Sequence, residues 1–167
     1  MLRLIGSLFD FALRVLRKLE WAGPLLVRIV VGIAMAKDGW GKLHHLDAIT
    51  AYFGPGDGPD HLNIPFPGIN ALIVSCVECF GGIALILGLG TRIASALMIG
   101  VFAVATLTAK IPGLESTELL DQIAELTNTI EVTYIAMFVW LLVAGPGPVS
   151  IDRLLRRSAT SRVGEAP

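Results

Sequence analysis

Residues 75–92 read SCVECFGGIALILGLGTR, and this stretch decides the class of fold. It is apolar almost throughout, yet it carries one ionisable carboxylate, Glu78, between Cys76 and Cys79. With the apolar residues before it, the segment reaches the roughly 20 residues that a helix needs to cross a bilayer. Its last glycines indicate a short turn into another apolar segment. The stretch therefore predicts two membrane-spanning helices joined by a tight turn.

The composition of the whole chain supports a membrane solvent. Among its 167 residues, 54% are hydrophobic and only 16% are charged, whereas soluble domains have about 25% charged residues. The mean hydropathy is +0.71. A net charge of -1 gives no general attraction to nucleic acid, so no nucleic-acid partner is expected.

Four segments have the length and composition of membrane spans, and they cover about residues 21–40, 67–89, 91–108 and 127–144. Because backbone polar groups in lipid must be satisfied within a segment, helices are the expected structure. The sequence therefore predicts an all-α fold, an integral membrane four-helix bundle that occupies residues 21–155. Residues 1–20 place basic side chains on one helical face and apolar side chains on the other, which is typical of an amphipathic interfacial helix.

The placement of lysine and arginine predicts the orientation. Nine of the thirteen basic residues lie in the N-terminal segment, in the turn at Thr91 and Arg92, or after the last span, where residues 156–167 form a basic tail. Cytoplasmic loops carry such an excess. We therefore expect a multi-pass protein of the cell inner membrane with both termini in the cytoplasm. Residues 44–68 would form an irregular outer loop, and residues 112–127 a second one with a short surface helix.

Five ionisable residues within or at the ends of the spans form the candidate polar site: Arg28, Lys37, Lys42, Glu78 and Glu131. Such groups are costly in lipid and usually find partners inside the bundle. Their depths predict that Arg28 pairs with Glu78, and that Glu131 pairs with Lys37 or Lys42 nearer the outer face. The pairs would either fix helix register or frame a quinone or proton site. A protonated, neutral Glu78 is a further open alternative, because burial disfavours the charged form.

Two other groups of residues have both a functional and a purely structural interpretation. Cys76 and Cys79 lie one helical turn apart and are either small packing residues or a redox pair, which would need the helix to open there. The first outer loop concentrates potential metal ligands, although a solvated polar loop without metal is the prediction. These are His44, His45, Asp47, Asp57, Asp60 and His61.

An ordered set of motifs resembles the DoxX family of small four-helix membrane proteins. The set comprises LLVRIVVGIAMAKDGWGKL at 25–43, AYFGP, NIPFPG, Glu78, LGLGTR, ATLTAK, Glu131 and GPGPVSIDR at 145–153. The resemblance covers about residues 25–155, and Arg28, Lys42, Glu78, Arg92 and Glu131 match the family's polar positions. It implies membrane-associated oxidoreductase systems, because related proteins form the membrane part of a thiosulfate:quinone oxidoreductase and some members associate with soluble thiol and superoxide enzymes.

Two functions of different kinds follow. One is a membrane subunit of a quinone-linked or thiol-linked oxidoreductase system, with quinone as the non-covalent cofactor and other membrane or peripheral redox subunits as partners. The alternative is a non-catalytic accessory or assembly subunit of a larger membrane complex. A small-solute transporter is disfavoured, because no internal repeat or broken helix is evident. Whether the chain is itself an enzyme, and whether it forms oligomers in the bilayer, stays open.

Overall fold

The computed structural model describes residues 13–14, 16–58, 60–114 and 118–155. Every regular element in these ranges is helical, which confirms the predicted all-α membrane bundle. The α-helices are α1 (Ala22–His44), α2 (Leu46–Phe53), α3 (Pro67–Leu87), α4 (Thr91–Ala105), α5 (Leu119–Thr127) and α6 (Ile130–Ala144). Helix α4 continues as a π-helical segment, Thr106–Lys110, and a 3-10 turn, Ile111–Gly113. Most of the segment 1–20 and all of the tail 156–167 lie outside the described residues.

Three helical stretches are long and apolar enough to cross a membrane: Leu16–His44, Pro67–Leu87 and Thr91–Gly113. Helices α5 and α6 pass the same test together as a fourth span with a bend of 73°. The chain is therefore a multi-pass membrane protein. The first helix continues beyond the predicted limit at residue 40, because the backbone leaves helical geometry only at His45 (φ -126°, ψ 39°).

The first outer loop is more regular than the sequence predicts, because its residues 46–53 form the two-turn helix α2. The short helix predicted within the second outer loop is present as α5. We call the end of the bundle that holds α2 and residues 54–66 the loop end. The opposite end, which holds the α3–α4 turn at residues 88–90, is the turn end.

Helices α1 and α3 pack antiparallel through glycines. A Cβ on Gly32 would lie 2.9 Å from the carbonyl oxygen of Gly82, and a Cβ on Gly39 would overlap the backbone of Glu78 and Cys79. Small residues allow such close approach of helices in lipid, where packing replaces the hydrophobic driving force. These contacts fix the register of α1 against α3.

Helices α4 and α6 form the other half of the bundle. They contact through aromatic rings, with the ring centroids of Phe102 and Tyr134 5.2 Å apart and those of Phe102 and Phe138 5.9 Å apart. Both halves meet in a core of fully buried side chains, among them Met35, Leu85 and Met98. Many large apolar side chains instead face outward, as expected of a bundle surrounded by lipid rather than water.

Candidate functional site

Glu78 is paired with Lys42, and the predicted Arg28–Glu78 pair is wrong. Both carboxylate oxygens of Glu78 lie 2.5 Å from Lys42 Nζ, and Glu78 is only 2% exposed. The contact of Gly39 with Cys79 places the next turn of α1 opposite Glu78. Arg28 precedes Lys42 by fourteen residues, which is about 21 Å along a helix axis. Helix register, rather than nominal depth, therefore selects the partner.

Arg28 instead holds the turn end together. It donates hydrogen bonds to the backbone carbonyls of Pro146 and Val149, the latter at 2.6 Å. Gly88 leaves room for this guanidinium, since a Cβ there would lie 2.7 Å from Arg28 Nη1. The segment after α6 is thereby tied to α1. Arg28 is a structural residue and is not part of the loop-end site.

The segment after α6 also caps α4. Asp152 accepts hydrogen bonds from the backbone N–H groups of Gly90 (2.8 Å) and Thr91 (3.3 Å). Its own N–H donates to the Gly88 carbonyl at 3.1 Å. A carboxylate satisfies the free N–H groups at a helix N-terminus and matches its positive dipole end. The LGLGTR and GPGPVSID motifs, which are distant in sequence, are thus in contact. We call this contact between Asp152 and residues 88–91 the latch.

Glu131 is paired with Lys110 rather than with Lys37 or Lys42. Its Oε1 lies 3.3 Å from Lys110 Nζ. Lys110 ends the π-helical extension of α4, whereas Lys37 is exposed on α1 and Lys42 is occupied by Glu78. The prediction that Glu131 forms an ion pair with a lysine is therefore right in kind, but the partner was assigned to the wrong helix.

Both ion pairs line one cavity of about 260 Å³ at the loop end. Lys42 and Glu78 lie on one wall, and Lys110 and Glu131 lie on another. The rest of the lining is mainly apolar and includes Val74, Val101, Phe102 and Ala105. The bundle thus contains a chamber with apolar walls, two ammonium groups and two carboxylates.

Helix α2 and the loop after it close the loop end of this cavity through Ile49, Tyr52, Phe53, Leu62 and Ile64. The loop is held to α2 because Leu62 N–H donates to Tyr52 O (2.8 Å) and Ile64 N–H to Phe53 O (2.9 Å). The segment that the sequence predicts to be an irregular solvated loop is therefore an ordered wall of the site.

Asn63 shapes the turn inside this wall. Its φ of 52° lies in the left-handed region, which asparagine tolerates better than most residues. Its side-chain amide bonds both backbone groups of Gly56, at 3.1 and 3.2 Å. This double hydrogen bond adds to the backbone hydrogen bonds between the loop and α2.

Cys76 and Cys79 lie away from the cavity. Cys79 is buried against α1, and Cys76 lies in a groove between α3 and α4 with Phe80 and Leu97. Both are free thiols within the uninterrupted helix α3. The redox pair therefore stays a prediction, and it is separate from the site built by the ion pairs.

The histidines of the first outer loop make local contacts. His44 Nδ1 lies 2.9 Å from Trp40 O, and His61 Nδ1 lies 3.2 Å from Ala51 O. Among the described residues, no three His, Cys, Asp or Glu side chains are grouped so that they could hold a metal ion. Of the loop residues considered as metal ligands, His44 and His61 thus serve as helix and loop contacts.

Sequence reasoning missed two contributors to the site. Lys110 stands in the ATLTAK motif, but the expected end of the third span near residue 108 put it in a loop. Asn70 lines the cavity and donates to the Pro65 carbonyl at 2.6 Å, which ties the start of α3 to the loop. The position of Lys110 two residues after the expected span end at Thr108 was the available signal.

Comparisons with known proteins agree with this architecture. The DoxX family model matches residues 23–111, which include α2 to α4 and all of α1 except its first residue. The inner membrane protein YqjF of Escherichia coli is 32% identical over 146 residues, covering 85% of this chain and 98% of YqjF. The "Uncharacterized membrane protein Rv3486" of Mycobacterium tuberculosis is 29% identical over 153 residues, covering 87% of this chain and 90% of that protein.

The name of a third relative refers to a type of reaction. The "Putative oxidoreductase CatD" of Bacillus subtilis is 29% identical over 89 residues, covering 53% of this chain and 60% of CatD. No solved structure matches the chain significantly. The family match over more than half of the chain, together with the near-complete coverage of YqjF, shows that the chain belongs to the DoxX family.

Proposed function

We propose that this chain is the membrane subunit of an oxidoreductase system and that its loop-end cavity binds a quinone headgroup. The observation that carries the proposal is the placement of both lysine–glutamate pairs on the walls of one cavity whose remaining lining is mainly apolar. Ligand sites commonly combine apolar walls with a few converging polar groups. Ionisable residues inside a membrane bundle are costly and usually mark a functional site. The oxidoreductase name of CatD supports the same class of activity.

The energetics of the Lys42–Glu78 pair support binding over a purely structural role. Removing two charges from water costs several kcal/mol, and their attraction only about repays this. A buried ion pair therefore contributes little to the net stability of the fold. Placed on a cavity wall, the same pair offers a ligand charged hydrogen-bond groups that no apolar pair would provide.

Quinone chemistry fits these groups. Reduction of a quinone to a quinol takes two electrons and two protons, one proton for each oxygen. The ammonium groups of Lys42 and Lys110 can donate hydrogen bonds to the quinone oxygens, and Glu78 and Glu131 can exchange protons with them. The electrons come from a partner oxidoreductase of the thiol or flavin class. In this arrangement the chain supplies the binding site and the proton path.

The proposed setting is the cell inner membrane, with both termini in the cytoplasm and the loop end on the outer side. The excess of basic residues near the termini and at Arg92 supports this orientation. The name of YqjF, an inner membrane protein, supports the location. The cavity would then lie in the outer half of the bilayer, where a quinone pool is accessible.

The test is quinone retention by the purified protein. The protein would be reconstituted in nanodiscs that contain a defined quinone pool, and bound quinone per chain would be measured after removal of lipid-dissolved quinone. We expect saturable binding that weakens about tenfold or more in Glu78→Gln, since hydrogen bonds to charged groups contribute at that level. Asp121→Asn, an exposed acid on α5, is the matched control. Wild-type protein without saturable quinone binding would support the accessory-subunit role instead.

A further inference from the structure

Glu131 has hydrogen-bonding capacity that the described residues do not use. Its Oε1 lies 3.3 Å from Lys110 Nζ, whereas its Oε2 is buried and accepts no hydrogen bond from any described residue. The side chain is only 17% exposed. A buried polar atom without a partner carries an uncompensated desolvation cost. A hydrogen-bond donor brought by a ligand would remove that cost.

The two carboxylates of the cavity differ in this respect. Both oxygens of Glu78 already contact Lys42 Nζ, so neither oxygen lacks a partner. The Glu131 carboxylate keeps a free acceptor beside the same cavity. Rotation of the Glu131 side chain would turn this oxygen toward the cavity that the residue lines.

The oxidised and reduced forms of a quinone differ in what they offer to such a group. A quinone ring carries only acceptor oxygens, whereas the quinol carries two hydroxyl donors. A carboxylate accepts hydrogen bonds and donates none when ionised. It therefore binds a quinol hydroxyl and repels a quinone carbonyl. The ammonium groups of Lys42 and Lys110 donate to either form and do not discriminate.

We propose that the cavity selects quinol over quinone, and that Glu131 sets this selectivity by accepting a hydrogen bond from one quinol hydroxyl. This inference rests on the proposed function, because it names which redox form that site prefers. Tighter binding of the reduced form raises the midpoint potential of the bound couple. A tenfold preference corresponds to about 30 mV for a two-electron couple.

The experiment compares three ligands under anaerobic conditions in nanodiscs: a short-chain benzoquinone, its quinol and the dimethyl ether of that quinol. Equilibrium binding is measured against empty nanodiscs. We expect the wild-type protein to bind the quinol about tenfold more tightly than the quinone, the level of one hydrogen bond to a charged group. The dimethyl ether, which has lost both donors, should bind no more tightly than the quinone.

Substitutions assign the selectivity to one residue. Glu131→Gln supplies an amide N–H₂ that can donate to a quinone carbonyl, so the preference for quinol should fall toward parity. Asp121→Asn should keep the wild-type ratio. If the Gln variant does not fold, the dimethyl ether on wild-type protein decides, because an ether that binds as tightly as the quinol contradicts a donated hydroxyl.

The outcomes separate this inference from the proposed function. Saturable binding of quinone and quinol with equal affinity overturns the selectivity and leaves the quinone site in place. An unchanged ratio in Glu131→Gln overturns the role of Glu131. Absence of saturable binding for all three ligands overturns both proposals.

Discussion

Gly39 on α1 lies directly against the backbone of Cys79 on α3, with no room for a side-chain carbon between them. This contact fixes the register of two antiparallel helices, and it lies one turn from the Lys42–Glu78 ion pair. The geometry of the candidate site therefore depends on a glycine that does not itself line the cavity.

Replacing that glycine should destabilise the bundle and loosen the site. In Gly39→Ala the added methyl must displace backbone, and overpacking of this kind costs about 1–3 kcal/mol. Unfolding in detergent would measure the loss. Gly41→Ala is the matched control, because nothing lies within 4 Å of a Cβ at that position. Equal unfolding midpoints for the two variants would contradict the register-setting role of Gly39.

Removal of Lys42 should leave an unpaired buried carboxylate. Breaking a fully buried pair costs roughly 3–5 kcal/mol, and the Lys42 side chain is 33% exposed. We therefore expect Lys42→Met to lower the free energy of unfolding by less than this, about 2 kcal/mol. Lys37→Met, an exposed lysine of the same helix, should be nearly neutral.

The same pair can be tested by a double-mutant cycle. Adding Glu78→Gln to Lys42→Met removes the stranded charge, so part of the lost stability should return. If the two single losses simply add in the double variant, the side chains are not coupled and the ion pair contributes nothing.

At the turn end, loss of the Asp152 carboxylate should weaken the cap of α4. Substitution of a capping residue by alanine costs about 1 kcal/mol, and we expect Asp152→Ala to lower the unfolding midpoint accordingly. Arg153→Ala, at the exposed neighbouring position, is the control. Quinone affinity should stay at the wild-type level in both, because the latch lies at the opposite end from the cavity. A change in affinity in Asp152→Ala alone would show that the two ends are coupled.

The cysteines offer a separate test. Neither Cys76 nor Cys79 lines the cavity, so the double variant with alanine at both positions should bind quinone as the wild-type protein does. Equilibrium binding in nanodiscs would measure this. A loss of quinone binding while the protein remains folded would show that the cysteines contribute to the site, and would favour the redox pair.

The sequence was sufficient for the architecture and for the identity of most charged residues in the site. Apolar segments of span length predict membrane helices because the bilayer sets their length. Arg28, Lys42, Glu78 and Glu131 could be singled out because charge inside a span is unusual. The pairing could not be predicted, because it depends on the register that Gly39 and Gly82 impose through contacts between distant segments.

Other parts of the site could not be predicted from the sequence, because the local sequence does not indicate them. Helix α2 is only eight residues long, and the Gly- and Pro-rich sequence after it predicts a loop. Lys110 was assigned to a loop because the π-helical and 3-10 turns carry α4 beyond the expected end of its span. The caps at Gly90 and Thr91 come from Asp152, about sixty residues later, and nothing in the local sequence indicates them.

The most direct test of the quinone site is photolabelling with an azido-quinone in nanodiscs, followed by mass spectrometric mapping of the labelled residues. We expect labelling in α2 and in the cavity-facing part of α4 near Val101 and Ala105, and we expect unlabelled quinone to suppress it. Labelling confined to lipid-facing residues such as Ile93 and Leu97, or labelling that unlabelled quinone does not suppress, would contradict a quinone site in the cavity.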